Sequence, residues 1–590
     1  MSAEKLITDH IDIWTSAVQA KSASGRGSSK KRELYGIKKL RELILELAVR
    51  GKLVPQDPTD EPASVLLERI AVEKAQLVKE KKIKKPKALS NLSLENLPAL
   101  PDGWAWAHVQ DFTEYVQRGK GPKYADKGSV RVVSQKCVQN SGFDIEPARY
   151  VEDQSLENYQ EERYLKEKDL LWNSTGTGTV GRVNVLPVVE SKSLVADSHV
   201  TVLRPLLMNS RYIWCFLMSP GVQARVNPDH EFSLVSGSTK QVELNTSSVV
   251  SLPVSVAPLN EQRRIVAKVD ELMALCDQLE QQTEASLDAH QVLVETLLAT
   301  LTNSQNATEL MANWARISEH FDTLFTTEPS IDQLKQTILQ LAVMGKLVPQ
   351  DPNDEPAAKL LERISEEKTQ LVKEKKIKKQ KALPPIAEDE KPFELPNGWE
   401  WRKLQDLCFK ITDGEHSTPK RTETGHYLLS ARNVTNEGII LGDVDYVPDF
   451  EFERIRNRCD PNIGDILISC SGSVGRVALV DRDNAYSMVR SAAMIRPCNI
   501  NLSKEYLALM LRSPYLQSQM KKRSKQSAQA NLFLGAISNL VGVIPPQNEQ
   551  KKIVSKIDRL FSMCDQLKQR LRDSQQTQLQ LTDAIVELAL

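Results

Sequence analysis

The sequence predicts an α/β protein in which two globular α/β domains are separated by two long antiparallel coiled-coil helices, with circular pseudo-twofold symmetry. Three observations predict it. Leu40–Leu89 and Leu334–Leu383 are identical at 38 of 50 positions, at an offset of 294. Apolar residues then recur at alternating steps of four and three from Ile265 and again from Ile553, the spacing of a coiled-coil seam. Finally, LTDAIVELAL (581–590) is similar to LRELILELAV (40–49) and LKQTILQLAV (334–343). The helix that runs on from the first frame copy into the second over 301–343 is thus interrupted at Leu590 and resumes near Leu40, as in a circular object closed by its own termini.

The chain divides in order. Residues 1–32 are an N-terminal segment and a flexible linker, small, polar and basic at SASGRGSSKK (22–31). Residues 33–100 are the first helical repeat region, with GKLVPQDP and LVKEKKIKK (77–85). The first globular domain, 101–257, opens at GWAW and mixes β-branched strands (VRVVSQ, HVTVLRP, VVSLPVSV) with the helix YIWCFLMSP. Residues 258–395 hold the first long helix and the second repeat copy, in which LVKEKKIKK returns at 371–379. A solvated helix face explains such a run, but its identity in both copies suggests a docking surface used twice. The second domain spans 396–545, and 546–590 form the second long helix. The seams run Ile265, Val269, Leu272, Cys276, Leu279, then Leu293 and Leu297, and Ile553, Ile557, Leu560, Cys564, Leu567, Leu571, then Leu581, Ile585 and Leu588. Polar residues interrupt both mid-way, which fixes register in a helix pair. Each helix is about 40 residues, roughly 60 Å at 1.5 Å per residue.

Composition narrows the class. With 41% hydrophobic and 26% charged residues the 590-residue chain is an ordinary soluble protein. Lys plus Arg (77) equals Asp plus Glu (77), so a nucleic-acid site must be a local patch rather than a global field. The domains themselves come to −2 (101–257) and +3 (396–545). Eight scattered cysteines without a C-x-x-C imply reduced thiols in the cytoplasm. MSAEKLITDH is not a signal peptide, and no apolar run approaches the about 18 residues of a membrane span.

In LLWNSTGTGTVGRVNVLP (170–187), Gly176, Gly178 and Gly181 are spaced as a dinucleotide-binding fingerprint. That fold needs the last glycine to open a helix under the pyrophosphate. Here RVNVLPVV alternates as a strand does, and the duplicate CSGSVG (470–475) lacks the first glycine. A strand–tight turn–strand hairpin accounts for the glycines better. No P-loop, zinc-protease helix or nucleophile elbow is present in the sequence. Nor is the [DN]-P-P-[YF] tetrad of adenine methyltransferases, so the chain is expected to hold no catalytic site, metal or cofactor.

The duplicated GKLVPQDP frame, the N-E-Q-x-x-I-V helix starts (260–266, 548–554), GDILISCSGSVGRVALV (464–480) and TDGEHSTPKRTETGHYLLSARNV (412–434) together resemble the DNA-specificity subunits of type I restriction–modification systems. The long region before the first domain is similar to one subgroup. The first domain departs from the family's phrasing, with KDLLWNSTGTG for GDILIS and RGKGPKYADKG (118–128) for DGEHSTP. The resemblance implies two target-recognition domains, each reading half of a bipartite double-stranded DNA target, a helical ruler between them, and two docked modification (methyltransferase) subunits. S-adenosylmethionine, ATP and Mg would belong to the modification and restriction (translocase/nuclease) partners. Base reading needs Arg, Lys, Asn, Gln, Ser and Thr on groove-facing loops. The expected contacts are Lys120, Lys123, Lys136, Asn173, Thr175, Thr177, Arg182, Ser238, Thr239, Lys240 and Gln241 in the first domain. In the second they are His416, Ser417, Lys420, Arg421, Arg432, Asn433, Ser471, Ser473, Arg476, Lys525, Gln529 and Asn531. A duplicated helical scaffold whose variable domains bind proteins is the rival reading.

Overall fold

A computed structural model describes residues 3–20, 32–92, 97–157, 159–176, 178–238, 241–498, 501–524 and 531–590. The linker expected at 22–31 lies outside them. The chain forms two compact units, Met1–Ser286 with Ser574–Leu590, and Leu287–Asp573. The boundary falls inside each of the two long helices, Leu259–Asn303 (45 residues) and Gln547–Ala589 (43 residues).

In the first unit the central antiparallel sheet has the strand order Val183–Val185, Leu170–Asn173, Val200–Pro205, Thr113–Arg118. Period-two alternation puts successive side chains on opposite faces. Leu170, Trp172, Val183 and Leu203 therefore pack on the helix Ser210–Met218 through Ile213, Phe216 and Leu217. Leu171, Val200 and Val202 face a smaller sheet through Val133, Leu194 and Ala196. With both faces covered, every residue of Leu170–Asn173 is buried. The smaller sheet pairs Leu194–Ala196 parallel to Arg131–Val133, which pairs antiparallel with Arg149–Val151 and, beyond it, Tyr124–Ala125. Strand Pro253–Val256 pairs with Ala105–His108 and closes the domain. The expected strand VVSLPVSV holds only over this last part, because Thr246–Val250 is a helix.

The second unit repeats this layout despite the collapsed identity. Its central sheet runs Val477–Leu479, Ile466–Ser469, Ala492–Pro497, Cys408–Asp413. Its smaller sheet pairs His426–Leu429 parallel to Tyr486–Met488 and antiparallel to Asp445–Val447. The same bonds hold both domains. Tyr212 donates to the Ser255 carbonyl at 2.7 Å and Tyr506 to the Val543 carbonyl at 3.0 Å. Gln223 spans the carbonyls of Gly181 and Leu217 as Gln517 spans those of Gly475 and Leu511. Arg204 grips Asp169 with two bonds of 2.7 and 2.8 Å, and Arg496 grips Asp465 with two of 2.9 and 2.7 Å.

The frames bind their domains identically too. The indole N–H of Trp104 donates to Glu261 at 3.0 Å and that of Trp399 to Glu549 at 2.9 Å, joining each domain opening to the start of a long helix. Lys346 donates to the carbonyls of Thr302 and Ser304 at 3.0 and 2.9 Å, and Lys52 to the main-chain oxygen of Leu590. In the first unit Tyr35 also donates to Asp583 at 2.7 Å. The segment after Ser574 thus packs beside the helix Tyr35–Val49.

Two helical expectations are corrected. The stretch 301–343 is not one helix: Leu259–Asn303 ends, and Ala307–Glu319, Phe321–Leu324 and Glu328–Val343 follow. Asn306 caps one new start, and Thr327 with Ser330 forms a reciprocal cap at another, with proline in its first turn. The seams also slip after their polar middles. Ile265 to Leu279 are buried as expected, but Leu293 is 50% exposed, while Val294, Leu298 and Leu301 are buried. In the second helix Leu581 and Leu588 are exposed, 46% and 88%, while Thr582 and Ile585 are buried. Five turns of an α-helix take about 18 residues, so Val294 lies on the face of Cys276 and Thr582 on that of Cys564. The buried face follows the 3.6-residue turn rather than a continued seven-residue repeat.

The LVKEKKIKK runs are helical only to Lys79 and Lys373, beyond which Lys81 and Lys375 take positive φ. Among the described residues no helix is long and apolar enough to cross a membrane.

Candidate nucleic-acid interface

The glycine-rich stretch is the expected hairpin. Leu170–Asn173 and Val183–Val185 pair antiparallel around it, with Gly181 at φ +92° and its counterpart Gly475 at +91°. The sheet register fixes what lies beside this turn. Asn173 pairs with Val200, and Thr201 with Arg118, so the turn 174–182, the turn 197–199 and the loop after Arg118 leave the same end of the sheet. The hairpin of Val235–Ser238 with Gln241–Leu244 is tied there as well, through the Leu244 N–H to the Ser174 carbonyl at 2.7 Å and a Thr175–Glu243 bridge. Gly119 lets the chain turn away: a Cβ there would stand 2.1 Å from the Asp197 carbonyl oxygen. Gly414 does the same in the second domain, 2.1 Å from that of Met488.

Around the first domain's turns lies a cleft of about 190 Å³ bounded by Tyr124, Gln135, Lys136, Arg149, Asp197 and His199. Thr175 Oγ1 bonds the His199 ring, and Asp197 accepts the His199 N–H at 2.8 Å. Burial pushes the Asp197 carboxyl above its ordinary value, against that hydrogen bond. Arg149 lies 4.0 Å over the Tyr124 ring. Among the described residues neither Arg149 nor Lys136 has an acidic partner.

The second domain's cluster is tighter. His416 Nε2 lies 2.7 Å from Asp413, to which Arg458 donates at 2.6 Å. Burial pushes the Asp413 carboxyl up, but the bonds from Arg458 and His416 more than offset it and hold it below its ordinary value. Glu415 accepts the Ser417 N–H and hydroxyl and Arg454, and the Ser417 N–H leads in lowering its carboxyl. Arg421 and Arg432 share Asp445 at 3.3 and 3.0 Å.

Both globular domains therefore present donor-rich, partly neutralised loops from one sheet end. The family model "Type I restriction modification DNA specificity domain" matches residues 101–289 and 396–574. The chain belongs to the type I restriction–modification DNA specificity family. It is 43% identical to the EcoEI specificity subunit of Escherichia coli and 41% identical to the EcoAI specificity subunit of the same species, each over 100% of both chains. Among solved structures, the HsdS subunit from Thermoanaerobacter tengcongensis is similar with a TM-score of 0.39 and 16% identity, over 84% of this chain and 99% of that one. The scaffold alternative is not supported, because both domains match the specificity-domain model.

Within this specificity fold the expected contact residues fall into distinct settings. Asn173 is buried and its amide donates to the carbonyls of Gln135 and Val138, while buried Asn433 donates to those of Ile440 and Asp443. Both are built into loop bases. Thr175 is buried against His199, and Arg182 is tied to Gln139 and the Gly178 carbonyl. Lys120 lies over Tyr159, Lys123 near Glu152, and Ser471 bridges Asn531. The Lys420 N–H donates to the Glu451 carboxylate, and the Ser473 carbonyl takes the Ser469 hydroxyl. Arg476 precedes the return strand Val477–Leu479, with its N–H on the Ser469 hydroxyl. Ser238 and Gln241 occupy facing ends of a hairpin. Thr177, Thr239, Lys240, Lys525 and Gln529 lie outside the described residues. Sequence reasoning missed Tyr124, Gln135, Arg149, His199, Arg454 and Arg458. No motif marks them; strand pairing brings Tyr124 and Arg149 together, while Arg454 and Arg458 come from the helix Asp449–Arg456 and the turn after it.

Proposed function

We propose that this chain is the specificity subunit of a type I restriction–modification complex in which each globular domain reads one half of a bipartite double-stranded DNA target. The observation that carries this is two copies of one reader fold, held by the same bonds, whose loops at one sheet end carry different chemistry. The two long helices act as an antiparallel coiled-coil spacer under circular pseudo-twofold symmetry. They set half-site centres about one helical turn, near 34 Å, apart on the duplex. The near-identical frames dock two modification subunits, with restriction subunits joining them. S-adenosylmethionine, ATP and Mg act on those partners, which flip and methylate the target adenine and cleave DNA, while this chain supplies no catalytic group. The assembly works in the cytoplasm. Phosphate contacts are shared with the partners, since neither domain is strongly basic.

The test is a map of methylated adenines in cells carrying this chain with its modification partner. A split motif is expected, whose halves change separately when residues 101–257 or 396–545 are exchanged for those of a relative. A genome without a motif dependent on this chain sinks the proposal.

A further inference from the structure

Strand register makes three positions equivalent between the two domains. Val132 pairs with Arg149 as Leu428 pairs with Asp445. Ala125 pairs with Tyr150 as Thr422 pairs with Tyr446, so Tyr124 corresponds to Arg421. The short turns Gln135–Cys137 and Ala431–Asn433 each follow a serine, so Lys136 corresponds to Arg432. The same three places thus hold Tyr124, Arg149 and Lys136 in one domain and Arg421, Asp445 and Arg432 in the other.

Their chemistry is exchanged, not merely varied. In the first domain the middle position is a cation, exposed, stacked 4.0 Å over an exposed tyrosine, with no acidic partner among the described residues. In the second the middle position is an acid that braces a cation on either side, at 3.3 and 3.0 Å. Stacking fixes the plane of a guanidinium while leaving its edge donors free, and a shared carboxylate fixes two guanidiniums while leaving their outer donors free. A planar, preoriented guanidinium matches the paired acceptors O6 and N7 of guanine in the major groove. We propose that these three scaffold positions form the base-reading cluster of each domain. In the first, Arg149 takes the Hoogsteen edge of one guanine; in the second, Arg432, steadied by Asp445 beside Arg421, takes another. The proposal rests on the DNA-reading function above and names the side chains that carry it.

The test uses the full chain with its modification partner, comparing Arg149→Ala, Arg149→Lys and Arg432→Ala. Methylated adenines are mapped in cells, and the purified complex is competed with duplexes substituted at single base pairs. Arg149→Ala is expected to relax one G·C position in one half-site by about 10-fold to 100-fold, leaving the other half and the gap unchanged. Arg149→Lys, which cannot fork, should relax the same position partially, and Arg432→Ala should relax one position in the opposite half. An unchanged motif in all three overturns the inference while the function stands. If a variant yields no motif, the competition decides: selective loss at one G·C pair supports the inference, and uniform loss across all duplexes overturns it by making the residue a backbone contact. A wild-type chain without a split motif defeats the function itself.

Discussion

The paired carboxylates Asp169 and Asp465 occupy one scaffold position, yet replacing them should not cost the same. Asp169→Asn keeps the shape and the acceptor for the Lys166 N–H at 2.8 Å but removes the charge that Arg204 grips. The Arg204 side chain is 8% exposed, and its next acid, Glu114, is 3.8 Å away. Burial works against charge on both partners. Asp169 more than offsets it for the guanidinium, which is held protonated, and burial leads in pushing the Asp169 carboxyl up. Removing one partner of such a pair costs about 3 to 5 kcal/mol. Asp465→Asn leaves Arg496, 29% exposed, still paired with Asp460 at 3.2 Å. The loss there should be about 1 to 2 kcal/mol, the scale of a charged hydrogen bond with the cation still partnered. At roughly 2 to 4 °C per kcal/mol for a large domain, the first variant should melt about 10 °C lower and the second only a few degrees. Urea titration and thermal melts of the purified chain read both. The double change Asp169→Leu with Arg204→Met should cost less than Asp169→Asn alone, because no charge is then stranded. Equal losses at the two positions, or a double variant worse than the single, would refute the reasoning.

Inserting four residues after Glu284 adds about 6 Å of helix in an exposed stretch; methylation mapping should show a longer gap between unchanged half-sites, and altered half-sites would mean the helix is not the spacer. Burial leads in raising the Glu261 and Glu549 carboxyls above the ordinary 4.5, against the bonds from Trp104 and Trp399. A carboxyl raised on folding binds its proton more firmly in the folded chain, so its stabilising contribution falls as pH rises from the unfolded value through the folded one. Glu549→Gln, which can still accept from Trp399, should therefore flatten the decline of the urea midpoint from about pH 4.5 upward, and an unchanged slope would exclude Glu549 as its source. Gly119→Ala places a methyl 2.1 Å from the Asp197 carbonyl oxygen and Gly414→Ala one 2.1 Å from that of Met488. Each should cost about 1 to 3 kcal/mol of overpacking and weaken one half-site only, as read by binding to duplexes carrying one half-site at a time.

The repeat made the frame legible, because identical residues imply identical bonds: Trp104 with Glu261 and Trp399 with Glu549, Lys52 and Lys346 at helix ends. The hairpin at Gly181 was legible because a strand, not a helix, follows it. The phase of the long helices was not. Leu293 and Leu581 continue a seven-residue repeat on paper, but across a polar stretch nothing in the residue pattern says whether the face keeps that repeat or drifts with the 3.6-residue turn. The site was half legible. Motif phrases point to the exposed loops that carry His416 and Arg421, whereas Asn173 and Asn433 look like base readers by residue type and lie buried with their donors on loop carbonyls. Tyr124 and Arg149 carry no signal, being 25 residues apart and joined only by strand pairing.

Why two domains with so little shared sequence keep one fold follows from where their shared bonds lie. Tyr212, Tyr506, Gln223 and Gln517 sit on helices, and the pairs Asp169–Arg204 and Asp465–Arg496 tie the residue before one central strand to the strand beside it. Gly119 and Gly414 guard a close approach at the loop end, and they do so by having no side chain at all. Tyr212, Tyr506, Asp169, Asp465 and Arg204 are buried, so losing one strands a polar partner and is costly. Beyond those glycines the loop end carries exposed side chains whose partners are local, such as Ser417 with Glu415 or Arg432 with Asp445. Exchanging a tyrosine for an arginine, or an arginine for an aspartate, at the three equivalent positions changes which donors face outward without stranding anything inside. A reader built this way can alter its half-site by substitution at one sheet end while the frame stays the same.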